Sequence, residues 1–350
     1  MNTTPTPASE LATTQVVLPG LVEPSGLVVA ESTVPSPAPG QLLVEMEATG
    51  ISFAEQSMRK GRYLGQPAFP FVPGYDLVGR VLAVGDGGDR NLLGKRVATL
   101  TKTGAWATHA LVSARDSVLV PDGVSSEDAE TVVVNGVTAW QMLHRTARVR
   151  PGQTILLFGA NGGVGGILIQ LARLHGVRVI GAASPRHHEA LRAAGVIPVD
   201  YADPALADRV RELAPGGVDA VFDNVGGETT RTAFRLLARG GSLVTYSIIS
   251  VVGGSGALMT PFLKAIGQAV LWSALPNGRS ATFYDLWAGH RLRPARFRRH
   301  LEADLGELFR LLEHGELTAN IAARFPLADI VPAMELAESR TLNGKVVLHP

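Results

Sequence analysis

Residues 153–173 read QTILLFGANGGVGGILIQLAR, and this stretch decides the fold. Its first part, residues 154–158, is a continuous apolar run, which is typical of a strand buried on both faces. A glycine-rich turn follows and leads directly into a helical pattern that Gly176 ends. A buried strand, a glycine turn and a helix in immediate succession predict the first unit of a doubly wound parallel α/β sheet.

The glycines of this turn predict an anion site. Gly162 lets the backbone approach a pyrophosphate, and Gly165 allows the helix to pack closely on the strand. The helix N-terminus offers unpaired N–H groups and a partial positive charge. Ala160 replaces the first glycine of the usual GxGxxG pattern, and Gly159 precedes it. A glycine pattern alone is weak evidence, but between a strand and a helix it predicts binding of a dinucleotide.

The end of the next predicted strand bears on which dinucleotide binds. Enzymes that use NAD usually carry Asp or Glu there, to bond the ribose 2′-hydroxyl. Here the strand ends at Ser184, Arg186 follows, and no carboxylate is present. A serine hydroxyl and a guanidinium suit a 2′-phosphate, so the sequence favours NADPH. The adjacent pair His187 and His188 is interpreted as a surface pair and not as a metal site.

Strand and helix patterns divide the chain into parts. Short strand-like segments from Gln15 to about Pro121 predict an antiparallel barrel or sandwich. From Ser125 onward helices and strands alternate, which predicts a parallel Rossmann sheet. The last ~60 residues resemble the first third again. The predicted organisation is a flexible tail over 1–14, a substrate domain over 15–130 and 290–350, and a nucleotide-binding domain over 131–289.

Composition excludes several classes of site and partner. The 350 residues carry a net charge of +1, which provides no basic field for nucleic acid or anionic lipid. The chain has no cysteine, so it has no disulfide, no thiolate zinc ligand and no cysteine nucleophile. The first 14 residues lack the features of a signal peptide, and a cytoplasmic location is expected. The apolar stretch 256–276 is interrupted by polar residues and is interpreted as a packed or lid helix, with no membrane span.

Several sequence blocks in a fixed order carry a family resemblance. They are GISFAEQSMRKGRY (50–63), FPFVPGYDLVGRVLAVGDG (69–87), NGVTAWQML (135–143), FGANGGVGGILIQLAR (158–173), VDYADP (199–204), VFDNVGGET (221–229) and LNGKVVLHP (342–350). The chain resembles the zinc-independent quinone oxidoreductase branch of the medium-chain dehydrogenase/reductases, and especially its vesicle amine transport protein 1-like group. The resemblance implies an α/β fold: a doubly wound Rossmann sheet plus a GroES-like, mostly β barrel domain.

The same resemblance implies chemistry without a metal. Zinc alcohol dehydrogenases of this superfamily carry GHE where this chain has Gly74-Tyr75-Asp76, and they also need cysteine. Without those ligands the resemblance implies hydride delivery from NADPH to a conjugated acceptor, a quinone or an α,β-unsaturated carbonyl. Hydrogen-bond donors and solvent protons then meet the charge that develops on oxygen.

Matching positions to the family pattern implies a set of coenzyme contacts that spans several loops. The implied contacts are Thr138 near the nicotinamide and phosphates, Gly162, Gly163 and Val164 around the pyrophosphate, Ser184, Arg186 and Tyr201 around the 2′-phosphate, Asn224 and Val225 beside the adenine and ribose, Tyr246 and Ser247 on the nicotinamide side, and Asn343 from the C-terminal segment.

The catalytic candidates are fewer, because the chain departs from the family where a substrate pocket is expected. The usual "NF-x-D" segment is Ser52-Phe53-Ala54-Glu55 here, and Ser57 follows. Tyr63 matches a common family tyrosine and is the candidate proton donor or substrate gate, with a packed loop aromatic as the alternative. Ser52 is a second candidate, for orienting the carbonyl or the nicotinamide. Arg59 is interpreted as a structural ion-pair residue.

Partner and pathway stay open at this level. The apolar segment 251–280 can cover a hydrophobic substrate or pack against another subunit, and SATFYDLWAG (280–289) is placed to join edge strands in a homodimer. The leading hypothesis is a quinone or enone reductase. One alternative is a reductase of a single secondary-metabolite intermediate. The other is an NADPH-binding scaffold with little catalysis, acting at membranes or RNA.

Overall fold

The computed structural model describes residues 10–249 and 259–350, which form two compact units. The first unit comprises the described residues up to Val134 together with Leu301–Glu313 and Ile321–Pro350. The second comprises Asn135–His300 and His314–Asn320. Within the described residues, no helix is long and apolar enough to cross a bilayer.

The strands and the α-helices are numbered separately in chain order. The strands are β1 (Leu11–Val17), β2 (Val28–Val34), β3 (Gln41–Ile51), β4 (Asp76–Val84), β5 (Arg96–Leu100), β6 (His109–Ser113), β7 (Ser117–Leu119), β8 (Thr154–Phe158), β9 (Arg178–Ala183), β10 (Ile197–Asp200), β11 (Val218–Asp223), β12 (Leu237–Thr245), β13 (Ser280–Phe283), β14 (Ile321–Pro326) and β15 (Lys345–His349). The α-helices are α1 (Phe53–Arg59), α2 (Ser126–Val133), α3 (Asn135–Trp140), α4 (Gly163–Leu174), α5 (His188–Ala193), α6 (Leu206–Leu213), α7 (Glu228–Leu236), α8 (Met259–Ser273), α9 (Pro294–Glu313) and α10 (Ile330–Glu338).

The first unit is built around a seven-stranded sheet. Its strands follow the order β14-β15-β3-β4-β5-β7, and β6 pairs with β3 outside this path. The long strand β3 is central because it pairs antiparallel with β4, β6 and β15. Val44, Met46 and Ala48 of β3 are fully buried, so the alternating pattern places one face of this strand in the core. β1 and β2 form a separate antiparallel pair.

The second unit contains a six-stranded sheet in which every pair is parallel. The order β10-β9-β8-β11-β12-β13 is that of a dinucleotide-binding Rossmann sheet, as the sequence predicts. Leu156 and Phe158 of β8 and Val221 of β11 belong to one hydrophobic cluster, which explains why these central strands read as apolar runs. The strand order reverses between β8 and β11, and ligands bind such sheets outside the carboxyl ends at that point.

Two predictions about segments need correction, and a third falls partly outside the described residues. Residues 11–14 of the predicted flexible tail are part of β1, where backbone pairing with β2 orders them; residues 1–9 lie outside the described residues. Of the predicted strand 280–289 only Ser280–Phe283 pairs in the sheet, with β12. The predicted lid helix is α8, and the part of segment 251–280 that precedes residue 259 lies outside the described residues.

The borders of the two units differ from the predicted domain limits. Residue 130 lies inside α2, which packs on β3 and β4 and belongs wholly to the first unit. At the other limit, α9 is divided, with its first residues up to His300 in the second unit.

Candidate functional site

The turn after β8 has a backbone that only glycine accommodates. Gly159 adopts φ +68°, a left-handed conformation, and a Cβ there would overlap the Asn224 side chain. A Cβ on Gly165 would overlap the carbonyl oxygen of Gly159, so the helix lies directly against the turn. Gly162 N–H donates to the Gly159 carbonyl at 2.9 Å and closes the turn. Gly159 therefore takes the place of the glycine that the usual pattern has at position 160.

The N-terminus of α4 meets the turn without a side-chain cap. Gly162 is the N-cap residue, so it offers no side-chain oxygen to the first-turn N–H groups. These donors suit the phosphate oxygens of a ligand. The Asn135 amide lies against Gly163, where a Cβ would overlap it, and Asn135 opens α3, which carries the buried Thr138. Sequence reasoning missed Asn135, although its block NGVTAW was noted.

The residues predicted around the 2′-phosphate begin two neighbouring loops. Ser184 directly follows β9, and Tyr201 directly follows β10. Ala183 pairs with Asp200, so the two loops start side by side at one edge of the sheet. Arg186 and Tyr201 are exposed, and Ser184 is half-buried. The end of β9 itself carries no carboxylate, although Asp200 ends the neighbouring strand β10.

One interpretation at this corner was wrong. His187 and His188 are not a surface pair, because the short helix Pro185–His187 turns the His187 side chain inward to 8% exposure. Its Nε2 is buried and has no hydrogen-bond partner among the described residues. Burial, followed by the charges of Arg186 and His188, lowers the pKa of His187. The imidazole of His188 contacts the Ala183 carbonyl, with Nε2 3.1 Å from the oxygen.

Asp223, at the end of β11, fixes the loop that follows. Its buried carboxylate accepts from Val225 N–H at 2.9 Å and from Thr230 Oγ1 at 2.6 Å. Burial raises the pKa of Asp223, and these hydrogen bonds oppose that effect. Asn224 Oδ1 is buried and has no hydrogen-bond partner among the described residues. The loop thus holds an acceptor beside the glycine turn.

Tyr246 and Ser247 follow β12 at the same edge. The Tyr246 hydroxyl donates to the Phe158 carbonyl at 3.4 Å, which ties this loop to the end of β8. Burial, with a smaller effect of the Asp223 charge, raises the pKa of Tyr246 and keeps the phenol neutral.

This edge of the second unit fits a dinucleotide. Glycines at 159, 162, 163 and 165 keep side chains away from the start of α4, and within the described residues the Asn224 acceptor has no donor. All predicted contacts except Asn343 lie in the second unit, on α3 or α4 or in loops after β9, β10, β11 and β12. Asn343 is an exposed residue of the first unit. The contact of each of these residues with the coenzyme stays a prediction.

The catalytic candidates lie together in the first unit. Ser52 is the N-cap of α1 and forms a capping box with Glu55: Ser52 N–H donates to Glu55 Oε2 at 2.9 Å, and Ser52 Oγ contacts the same oxygen. The other Glu55 oxygen accepts from Tyr75 N–H at 2.7 Å. The Tyr75 hydroxyl lies 2.6 Å from the Tyr63 hydroxyl. Ser52 therefore has a structural task, and Tyr63 stands at the outer end of the cluster.

A buried charge cluster lies beside these residues. Lys345 Nζ donates to Asp76 Oδ2 at 3.1 Å and also contacts Glu130 Oε1, and all three side chains are almost fully buried. Burial raises the pKa of Glu130 to about 8, because the desolvation cost outweighs the attraction of Lys345 and Asp76 adds repulsion. Burial and the Asp76 charge also raise the pKa of Glu55.

Sequence reasoning did not foresee this cluster or the roles of Glu55 and Tyr75. The available signal was Asp76 within an apolar strand, which requires a buried partner. Arg59 is bonded as expected of a structural residue: its guanidinium pairs with Glu338 at 2.6 Å and with Glu23 at 3.3 Å.

Two family models match the chain. Residues 38–122 match the "Alcohol dehydrogenase GroES-like domain", and residues 191–348 match "Zinc-binding dehydrogenase". The first match lies in the β-rich unit. The second model is named for zinc, whereas this chain lacks the cysteines that the zinc enzymes use.

Several known proteins are similar to this chain over most of its length. The human synaptic vesicle membrane protein VAT-1 homolog is 31% identical over 325 residues, covering 90% of this chain and 80% of that protein. The native structure of mycobacterial Rv1454c complexed with NADPH is 30% identical, with a TM-score of 0.81 and coverage of 97% and 100%. Escherichia coli quinone oxidoreductase complexed with NADPH is 26% identical, with a TM-score of 0.82 and coverage of 96% and 100%. The chain belongs to the medium-chain dehydrogenase/reductases, in their zinc-independent quinone oxidoreductase and VAT-1-like group, as its sequence blocks predict.

Proposed function

We propose that the protein is an NADPH-dependent oxidoreductase that reduces a quinone or an α,β-unsaturated carbonyl without a metal. The observation that carries the proposal is the glycine turn beside a β9 end that has Ser184 and Arg186 but no carboxylate. Two structural neighbours of the same family were solved with NADPH bound, which supports this choice of coenzyme.

The chemistry follows from the residues that this chain provides. When bound, the coenzyme supplies a hydride to the electron-poor carbon of the conjugated acceptor. The substrate oxygen then gains negative charge, and the Tyr63 hydroxyl donates its proton there. In total the substrate would gain one hydride and one proton, with both electrons taken from the coenzyme, and Tyr63 would recover its proton from water. The half-buried position of Tyr63 is compatible with that last exchange.

Coenzyme choice is tested at Arg186. In Arg186→Ala the 2′-phosphate loses a guanidinium partner, so we expect KM for NADPH to rise by about tenfold and KM for NADH to stay unchanged. The measurement is steady-state oxidation of each coenzyme with a panel of quinones and enones. Arg192→Ala, an exposed arginine on α5, is the matched control. Equal use of both coenzymes by the unmodified protein would contradict the NADPH assignment, and no turnover with any acceptor would contradict the reductase assignment.

Proton donation is tested at Tyr63. Tyr63→Phe removes only the hydroxyl, and a general acid contributes roughly 100-fold or more to the rate. We expect kcat to fall by about that factor with NADPH affinity unchanged. An unchanged kcat would assign protonation to water and leave Tyr63 as a packing residue. Ser52→Ala removes the N-cap of α1, so we expect the free energy of unfolding to fall by about 1 kcal/mol. We expect only a small change in kcat from this variant.

A homodimer is the proposed assembly. β13 is an edge strand of the parallel sheet, and α8 packs beside it, with Ser273 Oγ bonded to Ala281 at 2.9 Å. Leu263, Val270 and Leu271 of α8 are at least 60% exposed. A second copy that pairs along β13 would continue the sheet and cover part of this face. Sedimentation equilibrium that gives a monomer at micromolar concentration would contradict it. The cytoplasmic location also stays a proposal, to be checked by cell fractionation.

A further inference from the structure

Two phenols in the first unit are joined through their hydroxyls. Tyr63 and Tyr75 have Oη atoms 2.6 Å apart, and their rings meet edge to face with centroids 5.9 Å apart. Tyr75 is buried at 5% exposure, whereas Tyr63 is half-buried. The inner phenol is therefore placed to act on the outer one.

The inner phenol is held by its own backbone. Tyr75 N–H donates to Glu55 Oε1 at 2.7 Å, and Glu55 Oε2 is bound to Ser52 at the start of α1. The carbonyl oxygen of Tyr75 accepts from Thr101 N–H at 2.9 Å. These bonds tie residue 75 to two other segments, so the Tyr75 ring is fixed from behind and its hydroxyl has a defined position.

We infer that Tyr75 is a positioning residue for proton transfer, whose hydroxyl donates to Tyr63 Oη and leaves the hydrogen of Tyr63 for the substrate oxygen. This inference rests on the proposed function, because it needs Tyr63 to be the proton donor. It assigns a task to the residue that stands where the zinc enzymes of the superfamily carry the histidine of GHE.

The assignment follows from how charge moves in the step. The O–H bond of Tyr63 breaks as a new O–H bond forms on the substrate oxygen, and the electron pair stays on Tyr63 Oη. A phenolate results, which an adjacent hydroxyl stabilises by donating to it. With Tyr75 as donor, this bond is made before the reaction and strengthens as charge develops. Such an interaction lowers the barrier, because it is stronger in the transition state than in the ground state.

The direct test is Tyr75→Phe, which keeps the ring and removes the donor. We expect kcat to fall by about 10- to 100-fold, with KM for the acceptor and the dissociation constant for NADPH unchanged. The solvent deuterium isotope effect on kcat should increase, because proton transfer becomes slower relative to the other steps. A merely structural role would not change that isotope effect. Tyr284→Phe is the matched control, since it also removes a phenol hydrogen bond, to Gln141 at 3.0 Å, in the second unit.

A second variant keeps the test decisive if Tyr75→Phe folds poorly. Tyr75→His retains a ring N–H donor, so we expect it to recover part of the lost kcat. Wild-type kcat and isotope effect in Tyr75→Phe, alongside a strong loss in Tyr63→Phe, would overturn the inference and leave the proposed function intact. If Tyr63→Phe also keeps full activity, water is the donor and the inference falls with Tyr63. No NADPH oxidation by wild type would reject the proposed function itself.

Discussion

The two units build their functional regions from different material. At the carboxyl edge of the parallel sheet, the candidate site consists mainly of backbone. It contains glycines, which have no side chain, and the uncapped N–H groups at the start of α4. In the first unit, the candidate region consists of side chains, with the Tyr63–Tyr75 pair on Glu55 and a buried Lys345 cluster nearby. A backbone site tolerates changes of many side chains but no added Cβ at Gly159, Gly163 or Gly165. A side-chain site depends on each partner and on its charge.

The strongest test of this contrast removes the cation of the buried cluster. In Lys345→Met, the buried carboxylate of Asp76 loses its countercharge inside the protein, and breaking such a pair costs about 3–5 kcal/mol. We expect the free energy of unfolding at pH 7 to fall by that amount in urea titrations. Lys95→Met removes an exposed lysine of the same unit and serves as control. Equal free energies of unfolding for the two variants would show that Lys345 does not stabilise its buried acidic neighbours.

The next test adds one methyl group to the backbone site. In Gly165→Ala the new Cβ would overlap the Gly159 carbonyl, so α4 must move away from the turn. Overpacking of this kind costs about 1–3 kcal/mol, and we expect NADPH affinity, measured by calorimetry, to fall at least about tenfold. Gly267→Ala in α8 has open space at its Cβ and should raise stability slightly, by roughly 0.5–1 kcal/mol. Unchanged NADPH affinity in Gly165→Ala would contradict the proposal that close packing of α4 on the turn is needed for coenzyme binding.

The smallest expected effect is a dependence of stability on pH. Glu130 has a pKa of about 8 in the folded protein and 4.5 as a model value, so the folded state binds its proton more tightly. This contribution to stability is complete below pH 4.5 and is lost as pH rises through about 8. We expect this group to make the free energy of unfolding decrease between pH 6 and pH 8, as measured by urea titrations at several pH values.

The charged groups that face the Glu130 carboxyl are Lys345, Asp76 and Glu55. The test variant therefore changes Glu130 alone and leaves these three neighbours in place. Glu130→Gln carries no titrating proton and should flatten this part of the stability curve. Glu302→Gln, which changes an exposed carboxyl on α9, should leave the slope as in the wild type. A wild-type slope in Glu130→Gln would place the titrating proton elsewhere in the cluster.

The backbone site could be predicted from sequence because its signals are local. Gly159 to Gly165 are seven consecutive residues that join a buried strand to the first turn of a helix, and Gly159, Gly163 and Gly165 each have a direct geometric reason. The parallel sheet was predicted equally well, since the apolar runs of its central strands report burial on both faces. His187 was misjudged, because a single turn of the short helix decides whether such a side chain faces inward or outward.

The side-chain region was only partly predictable. Tyr63 was found through resemblance, but its partner Tyr75 is 12 residues away and its support passes through Glu55. The ion cluster joins Asp76 and Lys345, which are 269 positions apart in the chain. Periodicity and spacing carry no information about pairs that only the folded sheet brings together. The departure at Ser52 acquires its explanation as a capping box once Glu55 is seen to close it.

The pairing of β15 with β3 also has a consequence for biosynthesis. A ribosome that works from the N-terminus releases β3, Asp76 and Glu130 long before it adds Lys345. Until then the nascent first unit lacks both a neighbouring strand for β3 and the ammonium group for its buried acids. All described strands of the Rossmann sheet have been synthesised by residue 283, so that sheet can fold before Lys345 is added. The nascent chain therefore exposes an unfinished N-terminal unit to chaperones and proteases until its late segment arrives.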